Sequence, residues 1–319
     1  MHILDLFCGA GVAHRGFPAH ATTYGVDFDA DAVASFRHYL GSEHCTALRA
    51  DLSIPRVRAE LAASVPAPDL VWASPPCQPF SAAGSKRGAA DKRNGYPWTL
   101  DLLRRLLYAL KRPKLVCIEN VRGLTFHRCH RGHTECNGCY LQEQVEQLAT
   151  LFRYVRAYTL NAANYGAPQI RRRVVVLCSD DLRLVQPPKA TLCKPDHVLQ
   201  IGREPWRTVR QALPHLDETA RVIGGGSNPH YAGEARKHSD LTDRPSTTIA
   251  AHHGGGAGNA GPWVVAGEER RRLTVLECAL LQGLDDDPTI ATQTKRSRYR
   301  QVGNGVPPQL VSTLVSQLH

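Results

Sequence analysis

The segment Ala73-Ser-Pro-Pro-Cys-Gln-Pro-Phe-Ser81 follows directly on the apolar run Asp69 to Ala73 and carries Cys77 in a turn stiffened by paired prolines. A thiolate held there can attack an electron-poor carbon. The plainer alternative is a structural cysteine in a rigid turn. Ile118-Glu119-Asn120-Val121 leaves an acid at the end of a second apolar run. Tyr165-Gly-Ala-Pro-Gln-Ile-Arg-Arg-Arg173 sets Gln169, Arg171 and Arg173 on one side by strand alternation. Singly, these could be a solvated carboxylate and a basic face touching water. Together they supply a nucleophile, an acid and guanidinium donors at the open end of one sheet.

A second group of residues suits a nucleoside. In Asp5-Leu-Phe-Cys-Gly-Ala-Gly11 a strand runs into a Gly-x-Gly turn, and Gly9 and Gly11 let a ligand approach the backbone. Asp27 closes the next strand, where it can accept hydrogen bonds from ribose hydroxyls, and Asp51 could receive an adenine amino group. Dehydrogenases also use glycine turns with a strand-end acid. Position 14 is not glycine here, so the full G-x-G-x-x-G fingerprint is absent, and a diphosphate cofactor fits less well than a nucleoside one.

The elements that must position these groups alternate in type. Short apolar strands are expected at 3–7, 23–27, 69–73, 114–118 and 173–178, and helices at 30–40 and 99–110. That alternation predicts an α/β fold, a doubly wound, Rossmann-like mixed sheet with its sites at the strand carboxyl ends. After residue 180 prolines cluster and glycine runs appear at 224–226 and 254–256, so a smaller, loop-rich domain is expected over 181–275. A helix capped by Thr274 then runs to Leu281, and a last one from about Pro307 to Leu318. The division is therefore 1–180 plus 276–319 for the large domain, and 181–275 for the small one.

A chain of 319 residues suits two domains, and its net charge of +10 favours a polyanionic partner such as nucleic acid. Ten cysteines in this length do not make a disulfide scaffold. The start is a poor signal peptide, and no apolar run approaches the roughly 20 residues of a membrane span. An intracellular, cytoplasmic protein with reduced thiols and no membrane partner is expected.

In their chain order these motifs resemble the DNA cytosine-C5 methyltransferase family. Asp5 to Phe17 is similar to its first motif, with Val12 where a second consecutive glycine is usual. Ser74 to Gln78 resembles its nucleophile motif, Glu119 to Val121 its acid motif, and Gln169-x-Arg-x-Arg173 its basic motif. Arg244 to Thr248, Arg272-Leu-Thr274 with Glu277, and Tyr299 to Val306 resemble the later segments. The resemblance implies S-adenosyl-L-methionine as cofactor, held by Phe7, Gly9, Gly11, Asp27, Phe28, Asp51, Pro76 and Asn304. It implies that Cys77 adds to C6 of cytosine, because C5 is too weak a nucleophile until C6 carries a thiolate. Glu119 then holds the N3 and amino edge, Arg173 binds O2, and Arg171 supports the site or a phosphate. Asn120 orders the Pro-Cys turn.

The base must be flipped from the stack, and residues 80–98, with Ser81, Ser85, Lys86, Arg87, Lys92 and Arg93, suit a loop that closes over DNA. The implied partner is double-stranded DNA, read at a short site by a monomer through side chains between Leu192 and Asp240. A cognate restriction endonuclease on another chain is a possible partner. A branch acting on tRNA has a Cys-Phe-Thr signature near the recognition region, which this chain lacks.

One cluster stands apart from the family pattern. His127 to Cys139 places three cysteines and three histidines within thirteen residues. Cys136-Asn-Gly-Cys139 has the spacing of a metal knuckle, and Cys129 with His133 (or His127 or His130) could complete a structural zinc tetrahedron. The alternative is a reduced loop with incidental thiols and imidazoles.

Overall fold

The computed structural model describes residues 1–80, 88–126, 138–195, 203–224, 240–251 and 262–318. Its centre is a seven-stranded sheet in the order β3-β2-β1-β4-β5-β7-β6. The strands are β1 (His2–Leu6), β2 (Thr22–Asp27), β3 (Cys45–Arg49), β4 (Leu70–Ala73), β5 (Leu115–Val121), β6 (Tyr154–Asn161) and β7 (Arg172–Ser179). The first five pair in parallel, whereas β7 runs antiparallel to both β5 and β6. An antiparallel pair needs only a short connection, and residues 162–171 supply it without a crossover helix.

Strand alternation sends successive side chains into two cores. Leu4, Leu6, Val71, Ala73, Val116, Ile118, Val174 and Val176 enter one. Ile3, Leu70, Trp72, Leu115, Cys117, Val175 and Leu177 enter the other. Both faces are buried, which is why these strands read as continuous apolar runs. Helices α1 (Ala30–Leu40), α2 (Pro55–Ser64), α3 (Tyr96–Tyr108) and α4 (Cys139–Ala149) follow in the first half. Leu61, Leu102, Leu106 and Leu148 of the last three fill the first core. Of the later helices, α5 (Val209–Ala212), α6 (Val275–Leu281), α7 (Lys295–Asn304) and α8 (Pro308–Val315), the last covers the opposite face through Leu310, Val311 and Leu314.

Beyond residue 180 the sheets are small. β8 (Leu192–Cys193) pairs with β9 (Glu204–Pro205), and β10 (Arg221–Ile223), β11 (Trp263–Ala266) and β12 (Glu269–Arg272) form an antiparallel sheet. Val209, Val222, Val264 and Leu273 share one core with Val275 and Val302, and with Val12 from the glycine turn. Packing is therefore continuous across position 275. Among the described residues no helix is long and apolar enough to cross a membrane.

The doubly wound sheet and the helices around residues 30–40 and 99–110 agree with the sequence pattern. Several elements do not appear in it: β3, α2, β6 and α7. α3 also starts earlier than expected, with Gly95 as its N-cap and Pro97 in its first turn, and stops at Tyr108. Leu110 lies beyond it with φ 58, outside the helical region.

Candidate active site

The carboxyl ends of β1, β2, β4 and β5 lie side by side, and the residues that follow them face a common edge of the sheet. After β1 the chain turns through Phe7 at φ 61, a conformation side chains rarely adopt, and Gly9 at φ 57. A Cβ on Gly9 would meet nothing within 4 Å, so open space lies above this turn. A Cβ on Gly11 would strike the Leu40 and Phe36 side chains. Gly11 is thus fixed by packing under the turn, not by ligand clearance.

Asp27 braces that space from β2. Its two carboxylate oxygens accept from the Gly9 and Asp29 amides, each at 2.9 Å. Burial raises its pKa, and the amides of Asp29 and Gly9 oppose the rise. Each oxygen keeps a lone pair for a further donor. Phe28 follows at once with 61% of its surface exposed, a large apolar side chain at the rim. Asp51 is exposed, held by the Ser53 amide on one oxygen. The Phe7 ring and Pro76 lie together over Gly95, whose added Cβ would come within 2.9 Å of Pro76 and 3.1 Å of Phe7. Open space over a glycine turn, a braced carboxylate and apolar side chains at its rim fit an adenosine-bearing cofactor.

Cys77 stands half-buried in the loop after β4. Its carbonyl accepts from the Phe80 amide at 3.0 Å, and Asn120 of β5 donates to the Pro75 carbonyl at 3.2 Å. Asn120 therefore ties the Pro-Cys turn to the neighbouring strand, the part expected of it. Burial pushes the Cys77 thiol up; Glu119 adds to this, while the Arg173 and Arg171 cations oppose it.

Glu119, buried in β5, forms an ion pair with Arg173 at the start of β7, Oε1 to Nε 2.8 Å. Antiparallel pairing sets Val121 opposite Arg173 and so brings the two charges within reach. Buried charges persist when paired in this way. Of the three basic-motif residues only Arg173 reaches the acid.

Arg171 does something else. It is fully buried and donates to the carbonyls of Ile249 (2.9 Å), Gly303 (2.9 Å) and Gly305 (2.6 Å). A side chain so enclosed cannot reach a DNA phosphate, which corrects that half of the expectation for it. Gln169 donates to the Leu281 carbonyl and to Gln282, and accepts from the Ile249 amide. Gln282 in turn donates to the carbonyls of Val302 and Gly305. Arg171 and Gln282 thus bracket the segment in which Asn304 lies exposed, between Gly303 and Gly305, and Gln169 anchors Gln282.

Sequence reasoning passed over Gln282, whose amide looks like any polar helix residue until its partners are known. It also passed over Asp5, buried beneath the turn with its carboxyl pushed well up, first by burial and then by Asp27. Arg93 is clamped by the buried Asp91 through its Nε and Nη2, and lies close enough to Cys77 for their charges to interact. Ser81, Ser85, Lys86 and Arg87 of the expected closing loop lie outside the described residues, as do His127, Cys129, His130, His133 and Cys136 of the expected zinc cluster. Cys139 begins α4. Among the described residues no group of three or more His, Cys, Asp or Glu could hold a metal ion.

The profile of C-5 cytosine-specific DNA methylases matches residues 1–196 and 207–319. The chain is similar to the Type II methyltransferase M.AplI of Arthrospira platensis, 29% identical over 322 residues, covering 99% of this chain and 85% of that protein. It is 30% identical over 298 residues to the Type II methyltransferase M.SacI of Streptomyces achromogenes, covering 79% and 71%. Among solved structures, the Entamoeba histolytica methyltransferase EhMeth superposes with a TM-score of 0.66 at 17% identity, covering 100% of this chain and 97% of that one. The S. pombe Dnmt2 methyltransferase gives 0.65 at 17% identity, covering 100% and 98%.

Proposed function

The chain belongs to the C-5 cytosine-specific DNA methylase family, as a DNA cytosine-5 methyltransferase using S-adenosyl-L-methionine, and we propose that it modifies a short specific site in double-stranded DNA through a covalent bond from Cys77 to C6 of a flipped cytosine. The observation that carries this reading is the half-buried Cys77 thiol at the end of β4, with the 2.8 Å Glu119–Arg173 pair beside it and the open glycine turn next to it.

S-adenosyl-L-methionine supplies an electrophilic methyl group when bound. Asp27 takes its ribose hydroxyls; Gly9, Phe28, Asp51, Phe7, Pro76 and Asn304 hold the rest, and Gly11 shapes the turn from below. The thiolate of Cys77 adds to C6, forming the sulfur–carbon bond and shifting the C5–C6 π electrons into the ring. Protonation at N3, helped by Glu119, and donation to O2 from Arg173 keep negative charge from accumulating. C5 then bonds to the methyl carbon while that carbon's bond to the cofactor's sulfonium sulfur breaks, the electron pair staying on the sulfur of the departing thioether product. A water molecule takes the C5 proton, the C5–C6 double bond re-forms as the bond to sulfur breaks, Cys77 leaves as thiolate, and N3 gives back the proton it had taken. Arg171 takes no part in these bonds; it holds the Gly303 and Gly305 carbonyls around Asn304.

The same reading assigns residues 1–180 plus 276–319 to catalysis and 181–275 to target recognition, acting as a monomer. The Type II designation of its relatives supports pairing with a cognate restriction endonuclease on another chain. Bisulfite sequencing of DNA from cells expressing the wild type and Cys77→Ala tests the proposal. Protected cytosines at one short motif, lost in the variant, are expected. Protection that persists in Cys77→Ala would remove the covalent route.

A further inference from the structure

The near end of the Cys77 turn is fixed twice: Asn120 holds the Pro75 carbonyl, and the head of α3 packs on Pro75 and Pro76 through Gly95. Its far end is Phe80, whose amide donates to the Cys77 carbonyl. What holds Phe80 comes from α4. Tyr140, Gln144 and Leu148 recur every fourth residue along that helix and are its buried residues. Tyr140 is 3% exposed, with its ring stacked on that of Phe80, centroids 5.2 Å apart and planes at 20°. Tyr96, at the head of α3, meets both rings edge-on, 6.3 Å from Phe80 and 5.9 Å from Tyr140. Three buried rings at these separations interlock, so none turns without displacing the others.

The Tyr140 hydroxyl reaches a second support. It accepts from the Asn94 side-chain amide at 2.6 Å, and the same amide donates to the Ala89 carbonyl at 3.3 Å. The side-chain oxygen of Asn94 accepts from the Tyr96 amide, also at 3.3 Å. Phe80 and Ala89 stand in the chain on either side of residues 81–87. One tyrosine therefore ties both flanks to α4: its ring takes the first, and its hydroxyl, through Asn94, takes the second. Burial pushes that hydroxyl up to about 12, against the donation from Asn94. It stays a neutral phenol at physiological pH, suited to holding a neighbour and not to transferring a proton.

We propose that Tyr140 is a positioning residue for the nucleophile: its ring fixes Phe80, and with it the aim of the Cys77 thiol, while its hydroxyl fixes Asn94 and the head of α3 on which the two prolines rest. This rests on the reading of Cys77 as the attacking group. Tyr140 forms no bond to the base; it narrows the range of positions open to the sulfur. A displacement of about 1 Å at a reacting group can cost about a hundredfold in rate. Loosening the far end of the turn should therefore show in the bond-forming step and not in binding.

The test is the rate at which the full chain, saturated with S-adenosyl-L-methionine and with duplex DNA carrying 5-fluorocytosine at the modified position, forms its covalent adduct, measured well below the thermal midpoint. Tyr140→Leu, which removes ring and hydroxyl together, should slow the adduct by about tenfold or more. Tyr140→Phe keeps the stack and should recover most of that rate, remaining about threefold slow, the size of one neutral hydrogen bond. The half-saturating concentrations of DNA and S-adenosyl-L-methionine should not change in either. Leu148→Val alters the same face and the same core about two turns along α4; it should lower the thermal midpoint and leave the rate alone. An adduct rate equal to the wild type in either Tyr140 variant overturns the proposal. So does equal slowing in Leu148→Val, which would make the effect one of helix stability. A wild type that methylates the site yet forms no adduct instead overturns the reading of Cys77 beneath it.

Discussion

Cys77, the nucleophile proposed above, lies half-buried in the free protein. Burial raises its thiol pKa, and the cations of Arg173 and Arg171 only partly offset this. Because the thiolate is the reactive form, alkylation of the free enzyme by iodoacetamide should still be accelerating above pH 8.5, the ordinary thiol value of about that figure. Arg173→Ala, which removes the largest stabilising cation, should shift the profile further to the alkaline side. A rate that levels off near neutral pH would mean the thiolate is already formed. Arg171 calls for a different test, since its three donors serve three carbonyls on two segments. Arg171→Lys keeps a charge but not the fork, and each lost bond to a charged donor is worth about 1.5–3 kcal/mol. Affinity for S-adenosyl-L-methionine should fall at least tenfold by calorimetry, more than affinity for DNA, because Asn304 lies between the freed carbonyls. Equal affinities in wild type and variant would end that role. The placement of Cys77, Glu119 and Arg173 at one edge of the sheet was legible in the sequence because each adjoins an apolar strand. The role of Arg171 was not, because sequence displays its charge and hides its burial.

The capping box at the head of α6 locks the small sheet to the last helices. Thr274 accepts from the Glu277 amide while Glu277 reaches back to the Thr274 amide, at 3.1 and 2.7 Å. Burial alone would raise the Glu277 pKa; Arg271, the Thr274 amide and His215 outweigh it and bring it to about 2. With a folded value below the ordinary 4.5, the carboxylate adds stability that is present above pH 4.5 and disappears as pH falls toward 2. Urea unfolding of the wild type should therefore weaken through that window. Glu277→Gln, which keeps the capping geometry without the charge, should show a flatter profile; parallel profiles would contradict the assignment. Thr274 was recognisable as a cap from its place before an apolar run. β6 was not, since Arg156 interrupts its apolar pattern and the strand lies at the sheet edge with exposed positions. β3 occupies the opposite edge and shows the same mixed burial, so apolar content alone does not mark it. α2 opens on Pro55, a residue usually read as a break although it suits a helix's first turn.

Over the whole chain, the charge of +10 pointed to a polyanion, but composition does not say where the charge is displayed. Strand register sets Arg271 beside the buried Glu277 and places Arg270 and Arg272 over the Trp263 ring. After residue 180 the chain passes from one large sheet to small ones, and Val264, Val275 and Val302 share a core across position 275. The glycine turn, the Cys77 loop and the Glu119–Arg173 pair converge from four strands of the large sheet, so the chemistry depends on that sheet being intact. The most direct measurement is intact-mass analysis of the protein incubated with S-adenosyl-L-methionine and duplex DNA carrying 5-fluorocytosine at the modified position. Fluorine cannot leave as a proton does, so the bond from sulfur to C6 cannot be released. The wild type should gain the mass of one DNA strand plus a methyl group, with the modified peptide containing Cys77, and Cys77→Ala should gain none. An adduct on another residue, or methyl transfer with no adduct at all, would contradict the central claim.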